Sequence, residues 1–247
     1  MKKKLLALCI SVTLLATNSF AQLSNKDMAA KLKKENPNLA VDEVTYLPEV
    51  KLYEVIIKGN PTLTYTNENM DFFLAAGQII NPKSKTSISA DREEVNVKRF
   101  YKNLPFNTAI KIQYGKGTRT IAMFTDPDCP YCKTTDQEIH KKLTKSDLTI
   151  YYFMNPLNIP GHEQAPLKVK KIYCSPNRGK AWTDWMLNNQ LPNNDGSCKT
   201  PLEEHKKIAN SVNFNSTPTI LFDNGFVVRT ALTAEQITEI LAKKPAN

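Results

Sequence analysis

The chain has 247 residues, with 33 Lys and Arg against 24 Asp and Glu, a net charge of +9, 41% hydrophobic residues and five cysteines. The basic excess contains no arginine-rich run and no stripe of interleaved basic and aromatic residues, which argues against a nucleic-acid partner and for a solvated basic surface. The length exceeds that of one small domain and suits two.

Met1-Lys2-Lys3-Lys4 precedes the apolar run LLALCISVTLLAT, and Ser19 and Ala21 put small residues three and one before a cut. This pattern predicts a secretory signal peptide over 1–21 and export to an oxidising compartment. The apolar run is about 13 residues, short of the roughly 18 needed to span a bilayer, so no helical anchor is expected. Cys9 sits in that run behind the bulky Leu8, where a lipid-bearing cysteine would follow a small residue, and it is read as apolar filler. Removing 1–21 takes three lysines and one cysteine and leaves a net charge of +6 with four cysteines. Four thiols in an oxidising compartment invite two pairs, Cys129 with Cys132 and Cys174 with Cys198.

Residues 22–80 read as one small unit. LSNKDMAAKLKKEN has helical composition, a cap at Ser24 or Asn25 and a stop at Pro37. Four runs rich in β-branched and aromatic residues follow, AVDEVTYLP, KLYEVIIKG, PTLTYTN and MDFFLAAG, separated by Pro48, Gly59-Asn60-Pro61 and Asn67-Glu68-Asn69. They predict a small antiparallel sheet. A unit of about 60 residues buries little surface alone and leaves strand edges open, and self-association would remedy both.

Residues 81–116 turn polar and charged and read as a connector, in which Val95, Val97, Phe100, Tyr101 and Leu104 could form one face of a helix. From 117 to 247 strand and helix alternate. TRTIAMFTD is a strand, Pro130 to Leu143 a helix and LTIYYFMNP a second strand; a largely helical stretch from His162 to about Val212 follows. PTILFDNGFVVRT then reads as a hairpin turning at Asn224-Gly225, and TAEQITEILAKK as a last amphipathic helix. The whole is an α+β chain.

The Cys129-Pro130-Tyr131-Cys132 stretch admits three readings. A structural zinc site usually takes four ligands, and His140, His162 and His205 show no paired spacing with a cysteine, so no metal is expected. A purely structural disulfide is a second possibility. The position between strand and helix favours the third, redox exchange. Unsatisfied N–H groups and the macrodipole at a helix start stabilise a thiolate, which makes Cys129 the nucleophile and Cys132, one turn in, the shielded resolving thiol. Pro130 suits the first turn, where its missing N–H costs nothing. Lys133 adds a nearby cation, while Asp126 and Asp128 oppose the thiolate. Further on, Thr217-Pro218 stands just before a strand, where a proline is ordinarily trans.

Phe124 to Cys132 together with Thr217-Pro218-Thr219 resembles the thioredoxin superfamily. The chain as a whole resembles the periplasmic DsbC/DsbG disulfide isomerases; its CPYC is similar to DsbG-type sequences and the preceding FTD to DsbC. The resemblance implies a thioredoxin-fold catalytic domain with a helical insertion, joined by a linker helix to a small cystatin-like N-terminal dimerisation domain. It implies a cis-proline loop at Thr217-Pro218 that faces the two cysteines and aligns substrate with Pro130 and Tyr131. A V-shaped homodimer, misfolded secreted proteins as substrates, chaperone activity, a membrane reductase of the DsbD kind and a periplasmic location follow in the same way, with no cofactor. One departure is plain. Six residues before the first cysteine, where thioredoxins carry a buried acid, this chain has Met123.

Cys174 and Cys198 enclose a turn-rich stretch around a helix, and a structural disulfide there would stabilise by about 3 kcal/mol through loop closure; a second redox pair is the alternative. Trp182 and Trp185 read as core of the insertion, the three histidines as solvated, and Tyr131 as either a substrate contact or a control on exposure. Two further functions compete with isomerisation, a monomeric DsbA-like thiol oxidase and a chaperone-like binding module.

Overall fold

A computed structural model describes residues 22–244 apart from Ala76 and Gln78; the expected signal peptide lies outside the described residues. The Ser24 hydroxyl accepts from the Asp27 N–H and starts helix α1 (Asn25–Glu35). Met28 and Leu32, one turn apart, are its buried stripe, and they pack on Val41, Val44, Tyr53 and Val55. Those residues belong to a four-stranded antiparallel sheet of β1 (Val41–Leu47), β2 (Leu52–Ile57), β3 (Thr64–Thr66) and β4 (Leu74–Ala75), in that order. Strand β4 forms one edge, and Leu74 within it and Phe72 and Phe73 just before it are each close to half exposed.

Helix α2 (Ala90–Lys102) buries Val97, Phe100 and Tyr101, and Leu104 continues the same stripe just past its end. Val95 departs from the expected face and is exposed. Two positions of a helix turn the side chain by about 200°, so Val95 and Val97 cannot share a side. The helix joins both halves of the chain. Arg92 Nε donates at 2.6 Å to the buried Glu54 carboxylate in β2, a charge that must be paired where it lies, and Asn96 Nδ2 donates to the Asn60 carbonyl at 2.9 Å.

The second sheet runs β5-β7-β6-β8-β9, from β5 (Ile110–Gln113), β6 (Arg119–Thr125), β7 (Leu148–Met154), β8 (Thr219–Phe222) and β9 (Val227–Val228). Strands β6 and β7 are parallel and every other neighbour is antiparallel. Strand β5 begins the sheet inside the 81–116 stretch read as connector; four residues with Lys111 and Gln113 outward are too short and polar to stand out. Both faces of the sheet are covered. Ile121, Met123, Ile150, Tyr152, Ile220 and Phe222 face a core shared with α3 (Pro130–Lys142), α4 (Ala165–Tyr173), α5 (Arg178–Asn188) and α7 (Ala234–Ala242). The alternate residues Ala122, Phe124, Phe153 and Leu221 face α2 and α6 (Leu202–Ser211). Such strands read as continuous apolar runs because neither face is wet. Each large side chain so buried contributes roughly 1.5–3 kcal/mol.

Helices α4 to α6 form the insertion between β7 and β8. Cys174, capping α4, is disulfide-bonded to Cys198 ahead of α6. Trp182 is fully buried, and Trp185 is partly buried against the same core. The β8–β9 hairpin turns at Gly225, whose φ of +101° and whose position 2.5 Å from the Glu94 carbonyl to a notional Cβ both demand glycine.

Candidate active site

Strand β6 ends at Thr125, and Asp126-Pro127-Asp128 carries the chain to Cys129, the N-cap of α3. The extended backbone of Cys129 lets the helix begin at Pro130, and the Cys129 carbonyl accepts from the Lys133 N–H at 3.1 Å. The sulfur therefore stands at the positive end of the helix. Trp185 Nε1 donates to the Pro127 carbonyl at 2.7 Å and props this turn from the insertion.

The Thr217-Pro218 peptide is cis, and the Cys129 thiol donates to the Thr217 carbonyl at 3.3 Å. Cys129 is 4% exposed and Cys132 wholly buried, so both sulfurs lie lower than an exposed-attacker picture suggests. The route to Cys129 is a groove of about 530 Å³ lined also by Pro130, Tyr131, Ile159, His162, Thr217 and Arg229. Tyr131 stands out at the rim, 64% exposed. The groove thus gathers Cys129, Pro130, Tyr131 and Thr217. Cys174 and Cys198 do not line it.

The two thiols are driven apart in acidity. The hydrogen bond from the Cys132 thiol is the largest influence on Cys129 and lowers it to about 6; burial opposes this, while the Thr217 side chain and the N–H groups of Cys132 and Tyr131 add to it. Burial, reinforced by the neighbouring Cys129, pushes Cys132 well above its ordinary value. One sulfur is ready as a thiolate near neutrality and the other holds its proton.

The charges expected around Cys129 are arranged differently from the sequence reading. Asp126 is fully buried and spent on other partners: its Oδ1 accepts from the Asp128 N–H at 2.8 Å, and its Oδ2 accepts from the Leu157 N–H at 2.8 Å and stands 2.7 Å from His162 Nδ1. Asp128 pairs with Lys168. Lys133 turns from the sulfur to Asn189 Oδ1 at 2.6 Å and lies over the Trp185 ring. Lys133 is thus no direct partner of the thiolate, and Asp126 and Asp128 are each offset by a cation or a polar donor.

The histidines are also not the solvated residues expected. His205 is fully buried, accepts the Met154 N–H at Nδ1 (3.0 Å), and has its Nε2 2.9 Å from Thr108 Oγ1. His140 is half-buried, with Nδ1 2.6 Å from the Tyr114 hydroxyl. His162 lines the groove. Nothing in the sequence linked it to Cys129, since the loop that carries it follows β7 and meets the site only through the parallel β6–β7 pairing. Met123 is buried in the core where an acid might stand, and the carboxyl nearest along α3 is Asp136, one turn beyond Cys132.

A parallel βαβ unit, an antiparallel hairpin behind it, a dithiol at the helix start and a cis-proline loop against the sulfur define a thioredoxin-fold dithiol protein. The chain belongs to the thioredoxin-like family, whose domain model matches residues 106–245. It is 30% identical over 187 residues to the probable thiol:disulfide interchange protein DsbC of Bordetella parapertussis, a match covering 75% of this chain and 63% of that protein. The thiol:disulfide interchange protein DsbC of Salmonella typhimurium is 30% identical over 109 residues, 44% of each chain. The chain thus spans less than two thirds of the length of these curated relatives. The crystal structure of a disulfide interchange protein from Neisseria gonorrhoeae superposes with a TM-score of 0.53 and 36% identity, over 58% of this chain and all of that one.

Proposed function

We propose that this protein is a periplasmic thiol:disulfide interchange enzyme that reduces or isomerises wrong disulfides in secreted proteins. The observation that carries the reading is the placement of Cys129 at the start of α3 against Thr217, with its thiol lowered to about 6 and Cys132 buried beneath. Cys129 attacks a substrate disulfide, forms a mixed disulfide, and either lets the substrate rearrange or is released by Cys132. Pro130, Tyr131, Thr217 and Pro218 hold the substrate strand, and the Cys174–Cys198 bond is structural. The names of the relatives, both thiol:disulfide interchange proteins, support the interchange reading.

In this reading residues 22–80 are a cystatin-like dimerisation domain, 81–116 the linker region and 117–247 the catalytic domain, which also takes in β5 from the end of the linker stretch and so begins earlier than the sequence boundary. The half-exposed Phe72, Phe73 and Leu74 at the β4 edge support pairing with a second copy. Two active sites would then face one cleft, giving chaperone activity toward misfolded chains, and a membrane reductase of the DsbD kind would keep the cysteines reduced. A DsbA-like oxidase is the second reading, favoured by the acidic Cys129, since a stable thiolate makes a dithiol more oxidising. Thiol trapping in cells decides between them: a reduced Cys129–Cys132 pair fits the isomerase, an oxidised pair the oxidase. Mixed disulfides should accumulate on Cys132→Ala and not on Cys129→Ala; equal trapping by both would overturn the assignment of roles.

A further inference from the structure

We propose that His162 is a catalytic proton donor for exchange at Cys129, oriented by the buried Asp126, and that it protonates the substrate sulfur expelled when Cys129 attacks. This rests on the interchange reading above and adds to it a residue and a role.

The geometry gives each part. His162 and Cys129 line the same groove, with Leu157, Ile159 and Pro130 making much of its wall apolar. His162 Nδ1 is 2.7 Å from Asp126 Oδ2 and its side chain is 10% exposed, so the ring is held rather than free. The Asp126 carboxylate is itself fixed by the N–H groups of Asp128 and Leu157, both at 2.8 Å. An imidazole whose Nδ1–H is taken by a fixed carboxylate has one nitrogen left for other work. Among the described residues Nε2 has no hydrogen-bond partner. The other charged or titratable groups shown beside the ring or sharing its groove are Glu163, its sequence neighbour, and Arg229 and Tyr131 on the groove wall; Asp128, bonded through its N–H to Asp126, is paired with Lys168.

The chemistry needs such a group at the leaving sulfur rather than at Cys129. Cys129 is already acidic and requires no base. When its thiolate attacks, a bond forms between Cys129 Sγ and one substrate sulfur, the substrate S–S bond breaks, and the second sulfur leaves with the electron pair. Cys129 and its new partner now form the mixed disulfide, and the departing sulfur is the reduced one. An alkyl thiolate has an ordinary pKa of about 8.5 and is poorly solvated in an apolar groove. Transfer of the Nε2 proton of the imidazolium turns it into a neutral thiol and leaves a neutral imidazole. The reverse transfer, from a substrate thiol to the neutral imidazole, serves the rearrangement, in which that sulfur attacks the mixed disulfide and expels Cys129 as a thiolate.

Because leaving-group basicity sets how much a proton donor is needed, stopped-flow reduction of two disulfides by the reduced full chain separates the roles. Oxidised glutathione expels an alkyl thiolate; an aromatic disulfide such as Ellman's reagent expels a thiolate that needs no proton. His162→Gln, and independently His162→Leu, should slow the reaction with oxidised glutathione on the order of 100-fold while slowing the aromatic disulfide by no more than about 3-fold. Equal losses on the two disulfides would make His162 merely structural, and no loss on either would remove it from the reaction; both results overturn the proposal. The wild-type rate with the aromatic disulfide, compared with that of Cys129→Ala, tests the underlying interchange reading separately.

Discussion

The Cys129 sulfur and the Thr217 carbonyl oxygen stand 3.3 Å apart although 88 residues separate them in the chain. The antiparallel β6–β8 pair makes this contact, because it sets Phe124 opposite Thr219 and so delivers the turn after one strand to the loop before the other. The thiol environment is therefore a product of the sheet.

That environment has a measurable weak point. The Cys132 thiol is the largest influence lowering Cys129, and a hydrogen bond to a charged acceptor is worth about 1.5–3 kcal/mol. In Cys132→Ala the Cys129 thiol should rise from about 6 by roughly one to two units. Thiolate absorbance followed against pH reads this directly. An unmoved titration would assign the acidity to the helix terminus and Thr217 alone.

The Cys174–Cys198 bond closes a loop of sequence separation 24. Loop closure of that length is worth about 3 kcal/mol, and neither cysteine lines the groove. Replacing both with alanine should lower unfolding free energy by about that amount, measured by denaturant titration, and leave the rate of disulfide reduction near that of wild type.

Much of this was legible in the sequence, and the failures share a cause. Ser24, Pro37, the apolar strand runs and Asn224-Gly225 act locally, and the helix, strands and hairpin stand where local chemistry places them. The cysteine pair was legible because its spacing and its helix start are both local. Asp126 and Lys133 were misjudged because their effect depends on partners at His162 and Asn189, brought in by the β7 loop and the insertion. The buried His205 was missed for the same reason: a lone histidine in a polar helix shows no sign of the Met154 N–H that it meets 51 residues away.

The edge strand offers a test of assembly. Phe73→Glu combined with Leu74→Lys puts charge on a half-exposed apolar edge, which blunts strand pairing. On the proposal that this edge pairs two copies of an isomerase, the double variant should be monomeric by light scattering where the wild type is dimeric, should still reduce a model disulfide, and should lose isomerisation of a scrambled substrate. A variant that stays dimeric would move the interface elsewhere.

His205 should make the fold sensitive to acid. The Met154 N–H occupies Nδ1, so the neutral ring carries its proton on Nε2, directed at Thr108, and a second proton would set two donors against each other. Burial accordingly lowers His205 from 6.5 to about 4. The unfolded chain binds this proton first, so the stability contribution is complete above pH 6.5 and is lost as pH falls toward 4. Relative to His205→Gln, the wild type should lose on the order of 3 kcal/mol across that window.

Asp136 works in the opposite sense over nearly the same range. Its carboxyl is fully buried and accepts from the Tyr152 hydroxyl at 2.7 Å and Trp182 Nε1 at 3.3 Å, yet Oδ2 has no partner among the described residues. Burial outweighs the two hydrogen bonds and raises it from 3.8 to about 7. Here the folded state holds the proton longer than the unfolded one, so stability falls as pH rises from about 4 to about 7 and stays reduced above that. The full penalty is on the order of 4 kcal/mol. Because the His205 and Asp136 slopes cancel in part, denaturant titrations of the wild type between pH 4 and 7 should look nearly flat, and only the variants expose the terms. Asp136→Asn should show stability rising with pH through this window, as the His205 contribution stands alone, and should gain on the wild type above pH 7. A pH profile parallel to wild type would mean that Asp136 remains ionised in the folded protein and that its charge is solvated through a route the packing around Tyr152 and Trp182 does not provide.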